Sequence, residues 1–370
     1  MKLGFAIVFC IVISLITLTI IRGAQSLPAH SMWRTGYVTA SIAMFVLFLV
    51  GMIFGHKMPT ELAKAISFVG NSYVIIFVYL SMSLILLDVI LGINYFAKFA
   101  PAGMSEFRYW WMMGSFAIIA VVMAIGNYNF NHPKTVNLSI HSEKPAQNKS
   151  LKIVAVSDLH LGFSIDKNRL KSFVAMINAQ KPDLVLMTGD VTDRSIEPVI
   201  RQNMREELSQ IRATMGVFAI NGNHEHYAEQ LDAVEKYLKS AGITFLNDSV
   251  ALVNNSFYIV GRDDKTNARR KPLSALVKDL KADLPVILLD HQPHHLEEAE
   301  ANGIDLQISG HTHEGQFFPG NLLVKRMFEV GHGYLKKGNT HYYVSSGLGI
   351  WGPQYRIGTQ SEMVVIDFKF

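Results

Sequence analysis

The chain has 370 residues, of which 49% are hydrophobic and 17% charged, and its formal net charge is +4. So mild a charge, with no basic run and no interleaving of basic and aromatic residues, argues against a nucleic-acid partner. The single cysteine, Cys10, excludes a disulfide framework and a cysteine-based zinc site.

The apolarity is unevenly spread. Long uncharged runs dominate up to Asn127, and 12 of the 14 histidines lie beyond it. Leu3–Ile21, Thr35–Gly55 and Tyr109–Asn127 lack charge and approach or exceed the ~18 to 20 residues that cross a hydrocarbon core. Phe68–Phe96 is also long enough; it contains Asp88 toward its end, where an acid caps, snorkels or marks an intramembrane site. These runs predict an all-α membrane domain over 1–130, with four helices at about 3–21, 35–55, 68–96 and 109–127. Tyr109, Trp110 and Trp111 stand where an interfacial aromatic anchor would. The first run follows only Lys2, as in a signal peptide, but no small-residue cleavage site follows and a retained helix is expected. Lys2, Lys57, Lys64, Lys134 and Lys144 would share one side, against Arg22, Arg34, Lys98 and Arg108 on the other. That small excess places the C-terminal domain of a multi-pass cell-membrane protein on the cytoplasmic side.

The pattern changes over 131–370. Val136, Leu138 and Ile140 alternate with polar residues, as in a half-buried strand. "LKIVAVSD", "PDLVLMTGD", "GVFAINGNHE", "PVILLDH" and "IDLQISGHTH" are apolar strands that end in polar residues. Helix-like stretches such as Arg169–Gln180 and Gln230–Ala241 separate them, which predicts layered α/β packing. In such sheets ligands gather beyond the carboxyl ends of the strands.

Those ends deliver, in order, Asp158-x-His160, Gly189-Asp190, Gly222-Asn223-His224-Glu225, His291 and Gly310-His311-Thr312-His313. A His-x-His pair alone says little; five strand ends carrying such residues say much more. Carboxylate, amide oxygen and neutral imidazole suit Mn, Fe or Zn. This constellation, from about Lys152 to the C-terminus, resembles the calcineurin-like metallophosphoesterases. The tail "YYVSSGLGIWGPQYRIGTQSEMVVIDF" is similar to their membrane-anchored, YkuE- and YaeI-like branch.

The resemblance implies a layered β-sandwich flanked by helices and a site for two divalent metal ions. Asp158, His160 and His313 would hold one ion, Asn223, His291 and His311 the other, and Asp190 would bridge them. His224 would contact the phosphate or leaving oxygen, with Glu225 as the acid that orients it, where the nearest subgroup more often has Asp. The implied activity is phosphoester hydrolysis, best suited to a phosphodiester. A hydroxide held between the ions attacks, and His224 protonates the leaving alkoxide. Two departures from the branch stand out: Glu314 replaces a glycine after GHTH, and Ser361 replaces a proline before Glu362. Arg356 is read either as a phosphate contact or as a surface salt bridge. His226, His294, His295, His332 and His341 match no ligand position, and "GRDDK" at Gly261–Lys265 falls at a structural turn.

Four spans exceed what an anchor requires, since one retained helix suffices. A lipid-linked or headgroup phosphoester is therefore the expected substrate, as in the UDP-diacylglucosamine hydrolases of this superfamily. Ile350, Trp351 and Tyr355 would then form an apolar rim facing the membrane lipids, unless "GIWGPQY" only packs the C-terminal loop. The alternative is a membrane receptor or scaffold that binds phosphorylated ligands without turnover; the intact ligand set and His224 argue against it. A transporter draws little support from four spans holding one acidic residue. The oligomeric state is left open.

Overall fold

The computed structural model describes residues 2–99, 104–145, 150–227 and 231–370, with side chains from Val12 onward. The chain divides into two compact units, Met1–Ile125 and Gly126–Phe370. The long apolar runs become helices α1 (Lys2–Gln25), α2 (Met32–Phe54), α3 (Thr60–Ala97) and α4 (Ser105–Asn131). No proline interrupts them, and Pro28 and Pro59 fall in the connections. Ser31 caps α2 by accepting a bond from the Arg34 amide, and Lys98, in the left-handed conformation, ends α3. α3 begins at Thr60, before the expected Phe68, because Glu61–Ala65 are good helix formers.

The segments Met32–Lys57, Thr60–Ala97 and Ser105–Asn131 are long and apolar enough to cross a membrane. The first predicted run, Leu3–Ile21, is helical, but its side chains before Val12, Cys10 included, lie outside the described residues. Asp88 pairs with Arg22, Nε to Oδ2 at 2.9 Å, which neutralises the acid of the third run. The Thr19 and Ser81 hydroxyls bond across α1 and α3 at 2.7 Å, the kind of polar contact that joins helices in an apolar solvent. Of the three aromatics expected at an interface, Trp111 instead donates to the Ser83 hydroxyl at 3.0 Å, while Trp110 stays exposed.

The second unit is an α/β sandwich. One sheet contains β1 (Lys134–His141), β2 (Ser150–Val156), β3 (Leu184–Met187), β4 (Val217–Ala219), β5 (Ile243–Phe245) and β12 (Glu362–Lys369). The other contains β6 (Ser249–Val253), β7 (Phe257–Gly261), β8 (Val286–Leu289), β9 (Leu306–Ser309), β10 (Gly333–Lys337) and β11 (Thr340–Val344). Their orders are β1-β12-β2-β3-β4-β5 and β10-β11-β9-β8-β7-β6. The run β2-β3-β4-β5 is parallel, as is β7-β8-β9-β11.

The apolar strands split their side chains between two layers with a period of two. Ile153 and Ala155 of β2, Leu184 and Leu186 of β3, and Ile287 and Leu289 of β8 meet between the sheets. Val154, Val156, Val185 and Met187 face the other way, onto α5 (Lys167–Ala179) and its neighbours. Val286 and Leu288 likewise face an outer layer around Leu296 and Ala299. Burial on both faces explains why these strands read as continuous apolar runs. The parallel strands all point their carboxyl ends to one edge, which sets the stage for the site.

The unit takes in the last residues of α4. Phe130 is buried in the outer core, and the Arg169 guanidinium lies 4.5 Å from its ring. Asn127 and Asn129 donate to the carbonyls of Gln354 and Arg356 at 3.1 Å each. Phe130→Ala removes a packed ring and its cation contact, so it should cost about 3–5 kcal/mol. Urea unfolding of the full chain in detergent would measure this, and a loss below about 1 kcal/mol would mean that the helix end is not part of the core.

Candidate metal centre

The centre is built on strand ends. Asp158 and His160 follow β2, Asp190 follows β3, Asn223 and His224 follow β4, His291 follows β8, and His311 and His313 follow β9. To turn these side chains inward the backbone takes an uncommon route. Five of the seven candidate ligands have positive φ: Asp158, His160, Asp190, His311 and His313. That region is costly for residues with a Cβ and clusters at functional sites. Close approach also requires two glycines. A Cβ on Gly222 would run into the Asp190 carboxylate, and one on Gly310 into the Ser157 hydroxyl and the Asp158 carboxylate.

All seven candidate ligands come together, in two groups. In the first, His160 Nε2 lies 3.1 Å from His313 Nε2, and His313 Nε2 lies 3.4 Å from Asp158 Oδ1. In the second, Asn223 Oδ1 lies 2.7 Å from His311 Nδ1 and 3.2 Å from His291 Nε2. Asp190 Oδ2 stands between them, 3.7 Å from His160 Nε2 and 3.2 Å from His291 Nε2.

This donor set fits divalent cations. Burial pushes His160 and His311 down to about 4 and His313 well below its ordinary value, so these imidazoles are neutral. His160 and His313 thus point nitrogens at each other across 3.1 Å, and their Nδ1 atoms are buried with no hydrogen-bond partner among the described residues. His291 Nδ1 donates to the Thr188 carbonyl at 2.7 Å, which leaves Nε2 facing Asp190 and Asn223. Burial raises the Asp158 carboxyl to about 6. Burial also opposes the charge on Asp190, yet His291 outweighs it and holds that carboxyl well below its usual range. His291 is raised in return, against burial, by Asp190 and Asp158. A divalent ion would supply the positive charge that a second proton on His291 otherwise provides.

The acid that serves His224 is not the expected one. His224 Nδ1 lies 2.8 Å from Asp193 Oδ1, and this contact, working against burial, raises the imidazole above its ordinary value. Glu225 is fully buried and points elsewhere. It accepts from the amides of Asp190, Thr192 and Gly222 at 3.0, 2.8 and 2.8 Å, bracing the Asp190 loop against the Asn223 turn. Successive residues on a helical turn diverge by about 100°, so residue 225 cannot follow the His224 ring. The signal for Asp193 was its place three residues beyond Asp190, on the same loop.

Arg356 overturns both of its sequence readings. Its side chain is fully buried and donates to the carbonyls of His313, Ser346 and Gly349 at 2.9, 2.6 and 2.8 Å. Burial lowers the guanidinium to about 10. The departure at Ser361 now has a use, since its hydroxyl accepts from Arg356 Nε at 3.3 Å, which proline could not do. The departure at Glu314 is linked to the same end of the chain. His332 Nδ1 lies 3.5 Å from Glu314, and its Nε2 lies 3.1 Å from Glu362, so this histidine is a bridge and not a loose surface residue. His226 is likewise engaged, 2.7 Å from Asp263.

Residues 151–315 match the calcineurin-like phosphoesterase family. An uncharacterized metallophosphoesterase of Campylobacter jejuni is 34% identical over 264 residues, covering 69% of each chain. The chain belongs to the calcineurin-like phosphoesterases. It is a metal-dependent hydrolase of phosphoric esters, with apolar helices that associate it with a membrane. A transmembrane protein with metallophosphoesterase domain from Danio rerio is 32% identical, covering 68% of this chain and 61% of that one. The metallophosphoesterase YkuE of Bacillus subtilis is 28% identical, covering 70% of this chain and 95% of that one. The match thus spans less than two thirds of the zebrafish protein.

Arg356→Met should leave buried carbonyls unpaired, at about 1–3 kcal/mol for each. Elemental analysis should find less bound metal, because the His313 turn loses its brace. Arg356→Lys should not rescue it, since an ammonium cannot span the same fork. A lysine variant with normal metal content would remove the bracing role.

Proposed function

We propose that this chain is a multi-pass enzyme of the cell membrane that hydrolyses a phosphodiester with two divalent ions, Mn, Fe or Zn. We further propose that its catalytic unit faces the cytoplasm and that its substrate or a product is lipid-linked. The observation that carries the two-ion reading is Asp190 Oδ2, which stands between the two groups of donors. Asp158, His160 and His313 would hold one ion, Asn223, His291 and His311 the other, with Asp190 shared. When bound, such ions neutralise charge on the phosphate and acidify a coordinated water.

The protein supplies orientation and a proton. The His160 and His224 rings meet edge to face with centroids 4.4 Å apart, which places the His224 imidazole beside the first donor group. Asp193 favours its protonated form, so His224 can give a proton to a leaving alkoxide. A phosphodiester uses such an acid because its leaving group is poor. The lipid-linked substrate is supported by the three membrane-length helices among the described residues, more than tethering requires.

Asp190→Asn should abolish hydrolysis and lower bound metal, read by elemental analysis alongside turnover of a phosphodiester. A wild type with neither bound metal nor metal-stimulated hydrolysis would overturn the reading.

His224→Ala should keep its metal while turnover falls about 100-fold, and less with a nitrophenyl leaving group. A general acid works only while protonated, so the rate falls as pH rises through its pKa. Asp193→Asn removes the group that raises this pKa and should move the alkaline limb of the pH–rate profile to lower pH. An unchanged limb would separate Asp193 from proton transfer.

A further inference from the structure

The chain beyond the His311–His313 turn forms the helix Gly320–Met327, in which no residue is buried. Leu322, Leu323 and Met327 are 54%, 63% and 70% exposed, and Phe318, just before the helix, is 41% exposed. Leu323 and Met327 stack one turn apart, as do Leu322 and Arg326. Lys325 and Arg326 are exposed on this helix, which carries no acidic residue. Exposed leucine and methionine side chains beside cations, with no acid, are the composition of a helix that lies in the plane of an anionic lipid surface.

The position of this face adds to its composition. The start of the helix packs against the ligand turn, where Gly315 abuts Gly320 and Asn321. Beyond its end, the Phe328 ring lies 6.3 Å from His311 and 4.9 Å from His294. The helix therefore borders the metal centre at both ends. Phe318 donates its amide to Ile357 at 2.9 Å, and Gln316 donates its side chain to the Trp351 carbonyl at 3.0 Å. These bonds tie the segments that hold Phe318 and Trp351, the latter 43% exposed. Ile350 and Tyr355, expected beside Trp351 on an apolar rim, are buried instead. The same loop receives the end of α4, since the Arg356 amide donates to the Gly126 carbonyl at 2.8 Å. The chain therefore enters this unit beside that loop.

We propose that the Gly320–Met327 helix, with Phe318 and Trp351, docks on the headgroup layer of an anionic bilayer and seats the mouth of the metal centre there. The proposal rests on the reading of that centre as a membrane phosphoesterase and names the surface from which its substrate is taken. Lys325 and Arg326 favour anionic lipid over a protein partner or a second copy of the chain. Docked helices of this kind sink ~5–10 Å into the headgroup boundary, which brings a lipid phosphate level with a site at the helix edge.

The test uses the full chain in nanodiscs. Cys10→Ser removes the sole cysteine, and Leu323→Cys takes an environment-sensitive fluorophore. Ile200→Cys, at a site 45% exposed elsewhere on the unit, serves as the control. With doxyl lipids in phosphatidylcholine discs containing phosphatidylglycerol, quenching at 323 should exceed that at 200 by about twofold or more. Lys325→Glu with Arg326→Glu should remove most of that excess in anionic discs. Equal quenching at the two sites overturns the proposal. So does a label at 323 that is shielded in detergent and cross-links to a second copy. The same wild-type discs are assayed with soluble bis(4-nitrophenyl) phosphate and manganese. Hydrolysis without excess quenching sinks the docking alone. Excess quenching without hydrolysis supports the docking and overturns the enzymatic reading.

Discussion

Two carboxylates buried side by side govern this fold. Asp158 and Asp190 are nearly free of solvent, and imidazoles, not lysines, crowd around them. Such an arrangement is unstable without a compensating cation or proton. Much of what is unusual in the second unit follows from holding it together. The left-handed residues aim the side chains inward, and Gly222 and Gly310 let backbone approach the carboxylates. Glu225 ties two loops by accepting three amide hydrogen bonds, while Arg356 gathers four carbonyls from two others. Charge that is costly to bury is thus retained by a scaffold of backbone hydrogen bonds around it.

Those braces divide the work. Glu225 acts on the side of Asp190 and Asn223, where the Asp190 carboxylate lies between the two donor groups. Arg356 acts on the side of His313 and the 346–349 loop. Neither makes a side-chain bond to His224, which pairs instead with Asp193 at 36% side-chain exposure. The donors are therefore positioned by buried groups, while the proposed proton donor leans on a partly exposed acid.

What the sequence discloses follows from the range of the interactions. The apolar strands and the residues at their ends are local signals, so the α/β fold and the convergence of Asp158, Asp190, His291 and His313 were legible. A cross-chain pairing leaves no such mark. Arg356 read as a surface or ligand group because its carbonyl partners lie on separate loops and have no residue signature. Glu225 was assigned to His224 by the resemblance, which supplies an order of residues and not the direction in which a side chain points. The helix Gly320–Met327 carries no strand-end motif and no membrane-length run, and its exposure is a property of the folded chain that the sequence does not show.

The last strand of the unit has a consequence for biosynthesis. β12 lies between β1 and β2, parallel to one and antiparallel to the other. Two strands separated by a short connection therefore stay apart until residues 362–369 leave the ribosome. Contacts of such long sequence separation form slowly. Until β12 arrives, β1 has no neighbour in the sheet and β2, already paired with β3, keeps one edge open. Closure of this sheet therefore waits on its most distant strand, not on any motif of the metal centre.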